Sequence, residues 1–369
     1  MPPSQSAQNV QVAIRIRNVP SWRGRDPNSV QNTEAYGEIC ASVNERDPKT
    51  GVSSKIMLHQ KDKPPYEFNF DSVFSGEDDQ QMLYTKLVEP LITRCLDGFN
   101  GCIFAYGQTA SGKTYTMGGP PVQQPAQRGI IPRVASQILS YIEANGRKEA
   151  GGVGNDFTVS ITYLEIYNEQ LRDLLVDTAS HKKRDELKIR IDPNSVNSSA
   201  LYVQGLTEQK ITTEIEFQKV LTAAVQRRMV AETNMNAVSS RSHAVLTITI
   251  TSVERTSEDL DIPPIKKMSK IHLIDLAGSE RANSTGATGD RLKEGAAINQ
   301  SLSCLGNVIN ALSTGQTGHI PYRDSKLTYL LSDSLGGNSL TLLIACITPI
   351  AGAFDESLGT LRFAERAKK

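Results

Sequence analysis

The chain has 369 residues, 38% hydrophobic and 22% charged, and its 40 basic and 40 acidic side chains leave a formal net charge of zero. That length and apolar share suffice for a large buried core, and the even balance means that any acidic partner must be met by a local basic face. The sequence shows no run near the ~20 apolar residues of a membrane span, no signal-peptide profile in Met1-Pro2-Pro3-Ser4-Gln5-Ser6, and no metal-like pairing of Cys40, Cys95, Cys102, Cys304 and Cys346, a pattern that predicts a cytosolic protein with reduced thiols.

Residues 1–9 read as a flexible start. Val10 to Arg17 alternates apolar and polar side chains, which predicts a first strand. Trp22 to Lys63 is polar and turn-rich, the composition of surface hairpins and loops. Phe68 to Phe74 leads into a helix expected from about Asp79 to Leu96. The short apolar run Gly101-Cys102-Ile103-Phe104-Ala105-Tyr106 suits a buried strand entering a tight turn. Gly118 to Gln127 holds three prolines and two glycines, so a loop interrupts or ends the helix there. Gly146–Gly154 and Asp177–Asp185 read as surface loops, the second carrying Lys182-Lys183-Arg184. Ala244 to Thr251 alternates as a strand, Thr256 to Ile265 reads as a hairpin tip, and Lys270 to Ile274 is an apolar strand. Strands and helices therefore alternate as in an α/β protein, with no internal repeat and no heptads.

The strongest chemical signal is Gly107-Gln108-Thr109-Ala110-Ser111-Gly112-Lys113-Thr114. Gly107 and Gly112 let the backbone curl so that several N–H groups point at one phosphate. Lys113 places a charge on the outer phosphates, Thr114 offers a hydroxyl to magnesium, and the following helix adds its positive end. Two later runs belong to the same chemistry. Asn236-Ala237-Val238-Ser239-Ser240-Arg241-Ser242-His243 precedes a strand, and Asp275-Leu276-Ala277-Gly278-Ser279-Glu280 ends one. An aspartate at the carboxyl end of a central strand is where a phosphate-loop enzyme needs a second magnesium partner, acting through water. Gly278 leaves the backbone N–H free to approach a terminal phosphate, and the serine pair supplies hydroxyls to phosphate, metal or water. Ser and Asp are common in caps and turns, so each motif alone has an ordinary structural explanation. Three in this order do not. They must meet at one ligand, so 1–369 reads as a single domain.

With these runs the chain resembles a kinesin motor domain. Further matching runs are Tyr163-Leu164-Glu165-Ile166-Tyr167-Asn168-Glu169, Ile298-Asn299-Gln300-Ser301-Leu302, Pro321 to Thr328, and Leu361 to Lys369. The resemblance implies a P-loop NTPase fold of kinesin type, with a central mixed, mostly parallel β-sheet flanked by helices on both faces. It implies ATP and Mg2+, held by Arg15, Gly107, Gln108, Thr109, Ala110, Ser111, Gly112, Lys113, Thr114 and Tyr115. Thr114, Ser240 and Asp275 are the expected metal partners, and Ser239, Ser240, Arg241, Gly278 and Glu280 the catalytic group. Within that group Arg241 and Glu280 are expected to form a salt bridge that shuts the site, while the serine hydroxyls are not assigned individually.

The same resemblance implies a microtubule as partner, met by a helix over Ala296–Leu312 and by Arg291, Lys293, Arg323 and Lys326, with Lys188 and Arg190 as weaker contacts. Nucleic acid and membrane are not expected. The sequence departs from the family where Asn18 stands in place of the proline of Arg-x-Arg-Pro, with Pro20 two places late, which suggests weaker base discrimination. Tyr329 stands where many kinesins have arginine. The expected activity is a microtubule-stimulated, plus-end-directed ATPase, with a nucleotide-gated tether or depolymerase as the alternative. A myosin-type actin motor fits less well, because Ser242-His243 and Leu276-Ala277-Gly278-Ser279 follow the kinesin pattern. The expected setting is the cytoplasmic microtubule cytoskeleton, spindle included, with a monomeric head here and dimerisation through a coiled coil outside this sequence. Ala110-Ser111 and Leu292-Lys293-Glu294-Gly295 lean toward the centromere-associated kinesins.

Overall fold

Short Val-, Ile- and Leu-rich runs, punctuated by glycine and proline, fold here as strands of one large sheet. The computed structural model describes residues 10–19, 40–43, 46–120, 124–146, 154–176, 186–192, 201–235, 239–255, 263–280, 290–314, 319–335 and 339–369, without the side chains of 230–239 and 281–299. The chain opens with β1 (Val10–Ile16), β2 (Ala41–Val43), β3 (Ser53–Leu58) and β4 (Tyr66–Phe74). One helical run follows, made of α1 (Gln80–Leu83), a π-turn (Tyr84–Val88) and α2 (Glu89–Leu96), with Asp79 accepting from the Met82 N–H as its cap. Next come β5 (Gly101–Tyr106), α3 (Lys113–Gly118), α4 (Ile130–Asn145), β6 (Gly154–Tyr167) and β7 (Gln170–Asp173). A small hairpin of β8 (Lys188–Ile191) and β9 (Leu201–Gln204) precedes β10 (Gln209–Ile211) and α5 (Glu214–Met235). Then follow β11 (His243–Arg255), β12 (Ile265–Asp275), α6 (Asp290–Ser313), α7 (Lys326–Leu330), α8 (Ser332–Leu335), β13 (Leu340–Ile347) and α9 (Phe354–Lys368).

The sheet runs β10-β6-β11-β12-β5-β13-β1-β4-β3-β2, with β7 beside β6. Its centre, β12 through β4, pairs in parallel, while the strands outside it pair antiparallel. Parallel strands are covered on both faces, which is why β5 is buried along its whole length. Period-two alternation then sorts its side chains between two layers. Ile103 and Ala105 pack under α2, α4 and α5, with Ile92, Val134, Ile138 and Phe217. Cys102, Phe104 and Tyr106 pack on the opposite face under α6, α7 and α9, with Leu305, Val308, Leu327 and Leu361.

Several sequence boundaries move. The alternation in Val10–Ile16 suggests a polar face, yet Arg15 is buried, because β1 lies between β13 and β4 and beneath helices. β11 and β12 extend beyond the expected spans since they pair along their full lengths, from Ala244 with Asp275 to Glu254 with Ile265. α6 begins at Asp290 rather than Ala296, and its backbone stays helical through Gly295, a substitution cost of only about 1 kcal/mol relative to alanine. The expected features at 1–9, 20–39, 147–153, 177–185 and 256–262 lie outside the described residues. Among the described residues no helix is long and apolar enough to cross a membrane.

Candidate active site

Where β5 ends, the chain must turn sharply and enter α3 without blocking the space above the strands. Gly107 takes φ +146°, and a Cβ there would collide with the Cys346 carbonyl oxygen on β13. Ala110 is left-handed at φ +63°, one of the few non-glycine residues so placed. Gly112, at φ +100°, caps α3, and no atom lies within 4 Å of where its Cβ would stand. The result is an open backbone cradle at the mouth of a buried strand. Lys113 is 7% exposed and donates to the Gln108 carbonyl at 2.8 Å. Burial lowers its pKa below the ordinary lysine value, against the opposing pull of Asp275. A buried cation of this kind favours an anion in the cradle.

β12 delivers Asp275 beside the cradle. Thr114 donates its hydroxyl to Asp275 Oδ2 at 2.7 Å, and Arg228 Nη1 from α5 reaches the same oxygen at 3.3 Å. Asp275 Oδ1 is buried with no hydrogen-bond partner. A threonine hydroxyl against a carboxylate with a spare oxygen fits a hard cation completed by phosphate oxygens and water. Among the described residues no cluster of three acidic, His or Cys ligands could hold a metal unaided.

The two later runs, of which Ser239–His243 and Asp275–Glu280 are described, act as switches that close onto the cradle. The Gly278 N–H donates to the Ser240 carbonyl at 2.8 Å, and the Ser279 N–H to the Gly107 carbonyl at 3.1 Å. The Glu280 carboxylate accepts from the Thr109 N–H at 2.7 Å and from the Thr109 hydroxyl. A Cβ on Gly278 would strike both Glu280 carboxylate oxygens and Thr109 Oγ1, so any larger residue must displace the Glu280–Thr109 contact. Ser239, Ser240 and Arg241 form a 3-10 turn entering β11, with Arg241 at its end; the Ser239 side chain lies outside the description. The described contacts of Glu280 thus go to the cradle rather than to Arg241.

Behind this surface lies a buried network that the sequence does not assign. Arg228 donates to the Ser242 carbonyl at 3.1 Å, and its Nε lies 3.7 Å from Glu165 on β6. The Ser242 hydroxyl donates to Glu165 Oε1 at 2.7 Å, and Arg172 Nη1 donates to Oε2 at 3.0 Å. Burial alone would lower the Arg228 pKa, but Asp275, Tyr163 and Glu165 outweigh it and raise it. His243 Nδ1 accepts from the Ala277 N–H at 3.0 Å, so the proton sits on Nε2, which donates to Ser301 Oγ on α6 at 2.8 Å. Burial, Arg228 and Lys113 push the His243 pKa down to about 3, and the ring stays neutral. Glu165, Ser242, His243 and Ser301 all occur inside quoted motifs, but spacing carries no hint that they converge. Arg228 lies in no motif, and no sequence signal finds it.

At the other end, Arg15 is buried and donates to Gln80 Oε1 at 2.6 Å and Thr116 Oγ1 at 2.9 Å. Its guanidinium lies 5.3 Å from the Tyr115 ring centre. Arg17 Nη1 donates to the Ala110 carbonyl at 2.7 Å, while Pro20 lies outside the described residues. Arg291 and Lys293 stand in the first turn of α6, with their side chains outside the description. Arg323 is exposed in a 3-10 turn over Tyr329, and Lys326 opens α7. The Lys326 N–H donates to Glu169 Oε2 at 2.7 Å. Lys188 and Arg190 are exposed on β8.

The cradle, the two switches closed on it and the helix-covered parallel centre meet a single family description, and the kinesin motor domain model matches residues 23–369. The chain belongs to the kinesin motor family. Kinesin-like protein KIF15 of Homo sapiens is 41% identical over 374 residues, covering 99% of this chain and 25% of that protein. Kinesin-like protein klp-20 of Caenorhabditis elegans is 40% identical over 366 residues, covering 99% of this chain and 51% of the relative. The chain therefore spans about a quarter to about half of these curated relatives. A solved structure described as that of a fast kinesin, with implications for ATPase mechanism and interactions with microtubules, superposes with a TM-score of 0.83 at 37% identity, covering 99% of this chain and 93% of that one. Kinesin motor domains are ATPases, and this chain shares that enzyme class. The lean toward centromere-associated kinesins finds no support in these relatives and is dropped.

Proposed function

We propose that this kinesin motor domain is a microtubule-stimulated ATPase that couples nucleotide turnover to its grip on the track. The observation that carries the reading is the closure of residues 107, 109, 240, 278, 279 and 280 into one hydrogen-bonded unit. The loop N–H groups and Lys113 take the β- and γ-phosphates. Thr114, Asp275 and Ser240 take magnesium, which when bound offsets the negative charge of the phosphates. Gly278 brings its N–H to the terminal phosphate, and Ser239, Ser240, Arg241 and Glu280 enclose and orient the attacking water. A terminal phosphate competes with the Glu280–Thr109 contact, so gaining or losing it shifts the population of closed switches. Ala277 transmits that shift through His243 to Ser301 on α6, the element proposed to lie on the microtubule with Arg291, Lys293, Arg323 and Lys326. Exposed basic contacts of this type weaken as salt rises.

The test is steady-state ATP hydrolysis with and without stabilised microtubules at low and moderate salt. A stimulation that saturates with microtubules and falls with salt is expected. Turnover indifferent to microtubules would remove the track face. A gliding assay on polarity-marked microtubules reads direction, expected toward plus ends, and the corresponding cellular setting is the microtubule cytoskeleton.

A further inference from the structure

This inference rests on the nucleotide reading above and concerns its base end. Gln80, the first residue of α1, is 3% exposed, and its side chain bonds Arg15, Tyr115 and Gln127. Its Oε1 accepts from Arg15 Nη1 at 2.6 Å. Its Nε2 donates to the Tyr115 carbonyl at 2.7 Å and to the Gln127 carbonyl at 3.4 Å. A side-chain amide is the one group that can satisfy a buried guanidinium and two carbonyls together, since it carries an acceptor and two donors. Leaving any of those buried groups without a partner is costly.

Arg15 is thereby fixed beside Tyr115, whose ring is 43% exposed directly after Lys113 and Thr114. A half-exposed tyrosine with a buried guanidinium over its ring, adjoining a phosphate cradle, is a surface on which a flat heterocycle stacks. We propose that Gln80 is a positioning residue for the nucleotide base. It holds the Arg15 guanidinium against Tyr115 and so sets how tightly the base is gripped, while the phosphates are left to the cradle. Its bond to Gln127 ties the same edge to the loop between α3 and α4, so β1, α1 and that loop meet at one side chain. Gln80 touches no reacting atom, and its influence runs through Arg15.

The test compares MgATP with magnesium tripolyphosphate, which has the phosphate chain and no base. Gln80→Met keeps the volume and removes both hydrogen-bonding functions. It is expected to weaken MgATP binding and raise KM about tenfold, with kcat within about twofold and tripolyphosphate binding unchanged. Gln80→Glu keeps the acceptor for Arg15 and loses the donors, and is expected to restore most of the ATP preference. Equal losses for ATP and tripolyphosphate, or a fall in kcat at constant KM, would overturn the proposal. Should Gln80→Met not fold, Gln80→Glu decides: an ATP-to-tripolyphosphate ratio near wild type supports the role, and a lost ratio overturns it. Wild-type protein that binds neither ligand overturns the nucleotide reading instead.

Discussion

Gly278 shows how one missing side chain governs the site. Its N–H donates to the Ser240 carbonyl, and the space where its Cβ would stand is filled by the Glu280–Thr109 contact. The added Cβ of Gly278→Ala displaces Glu280 and Thr109 and shifts the 278 N–H out of place. The variant is therefore expected to fold and bind nucleotide but to lose hydrolysis by on the order of 100-fold, the scale seen for one misplaced transition-state donor. Single-turnover hydrolysis checks it, and a rate within threefold of wild type would show that the switches close around a Cβ at position 278. Glu280→Ala and Arg241→Ala are expected to behave alike, binding ATP while nearly abolishing turnover. Near-normal turnover in either removes that residue from the catalytic group. At this scale the sequence is highly legible for the cradle, because Gly107, Gly112, Lys113 and Thr114 lie within one contiguous run of eight residues. It is silent on Arg228 and Gln80, whose partners lie on elements distant in the chain: Asp275 for the first, Arg15 and Tyr115 for the second.

Among elements, the helical layers decide whether the sheet is held in shape. α9 lies against β1, β4 and β13, and its Phe363 stacks on Tyr106 of β5 with ring centres 3.9 Å apart. The Phe363 ring also approaches Gly306 of α6, where a Cβ would sit 3.9 Å from it. Phe363→Ala is expected to cost about 3–5 kcal/mol in denaturant unfolding, from lost burial and the cavity left beneath α6. A loss under about 1 kcal/mol would mean that the layer relaxes into the space. Element type was readable from pattern, as in the strand 101–106 and the helical run 80–96. Boundaries were not. β11 and β12 outrun their apolar segments because each supplies the other's backbone partners, and α6 outruns its own because helical hydrogen bonds pass through Gly295.

For the molecule as a whole, two buried neutral histidines set a pH dependence. Burial holds His243 at about 3 and His272 at about 4, against 6.5 for the free side chain. The unfolded chain therefore binds these protons first as pH falls. Stability is full above about pH 6.5 and declines toward pH 4 and below, by up to ~1.4 kcal/mol per unit for each ring. Urea unfolding across pH 4–7 reads the slope. His272→Gln is expected to remove about one proton from it, and an unchanged slope would mean that the ring is charged in the fold.

The sequence by itself determined the motifs of the proposed phosphate cradle, the alternation of strand and helix, and the kinship of the chain. Each of those is written in short contiguous runs whose spacing fixes local geometry. Tertiary structure alone decided which distant residues share the site. The parallel centre sets β5, β12 and β13 side by side, so Gly107 meets Cys346 and Thr114 meets Asp275 across 161 positions of chain. It also buried Arg15, Glu165, Arg228 and His243, residues that look solvent-bound in sequence. Out of water, each of these polar groups requires a partner, and those partners became the connections among β1, α5, the switches and α6.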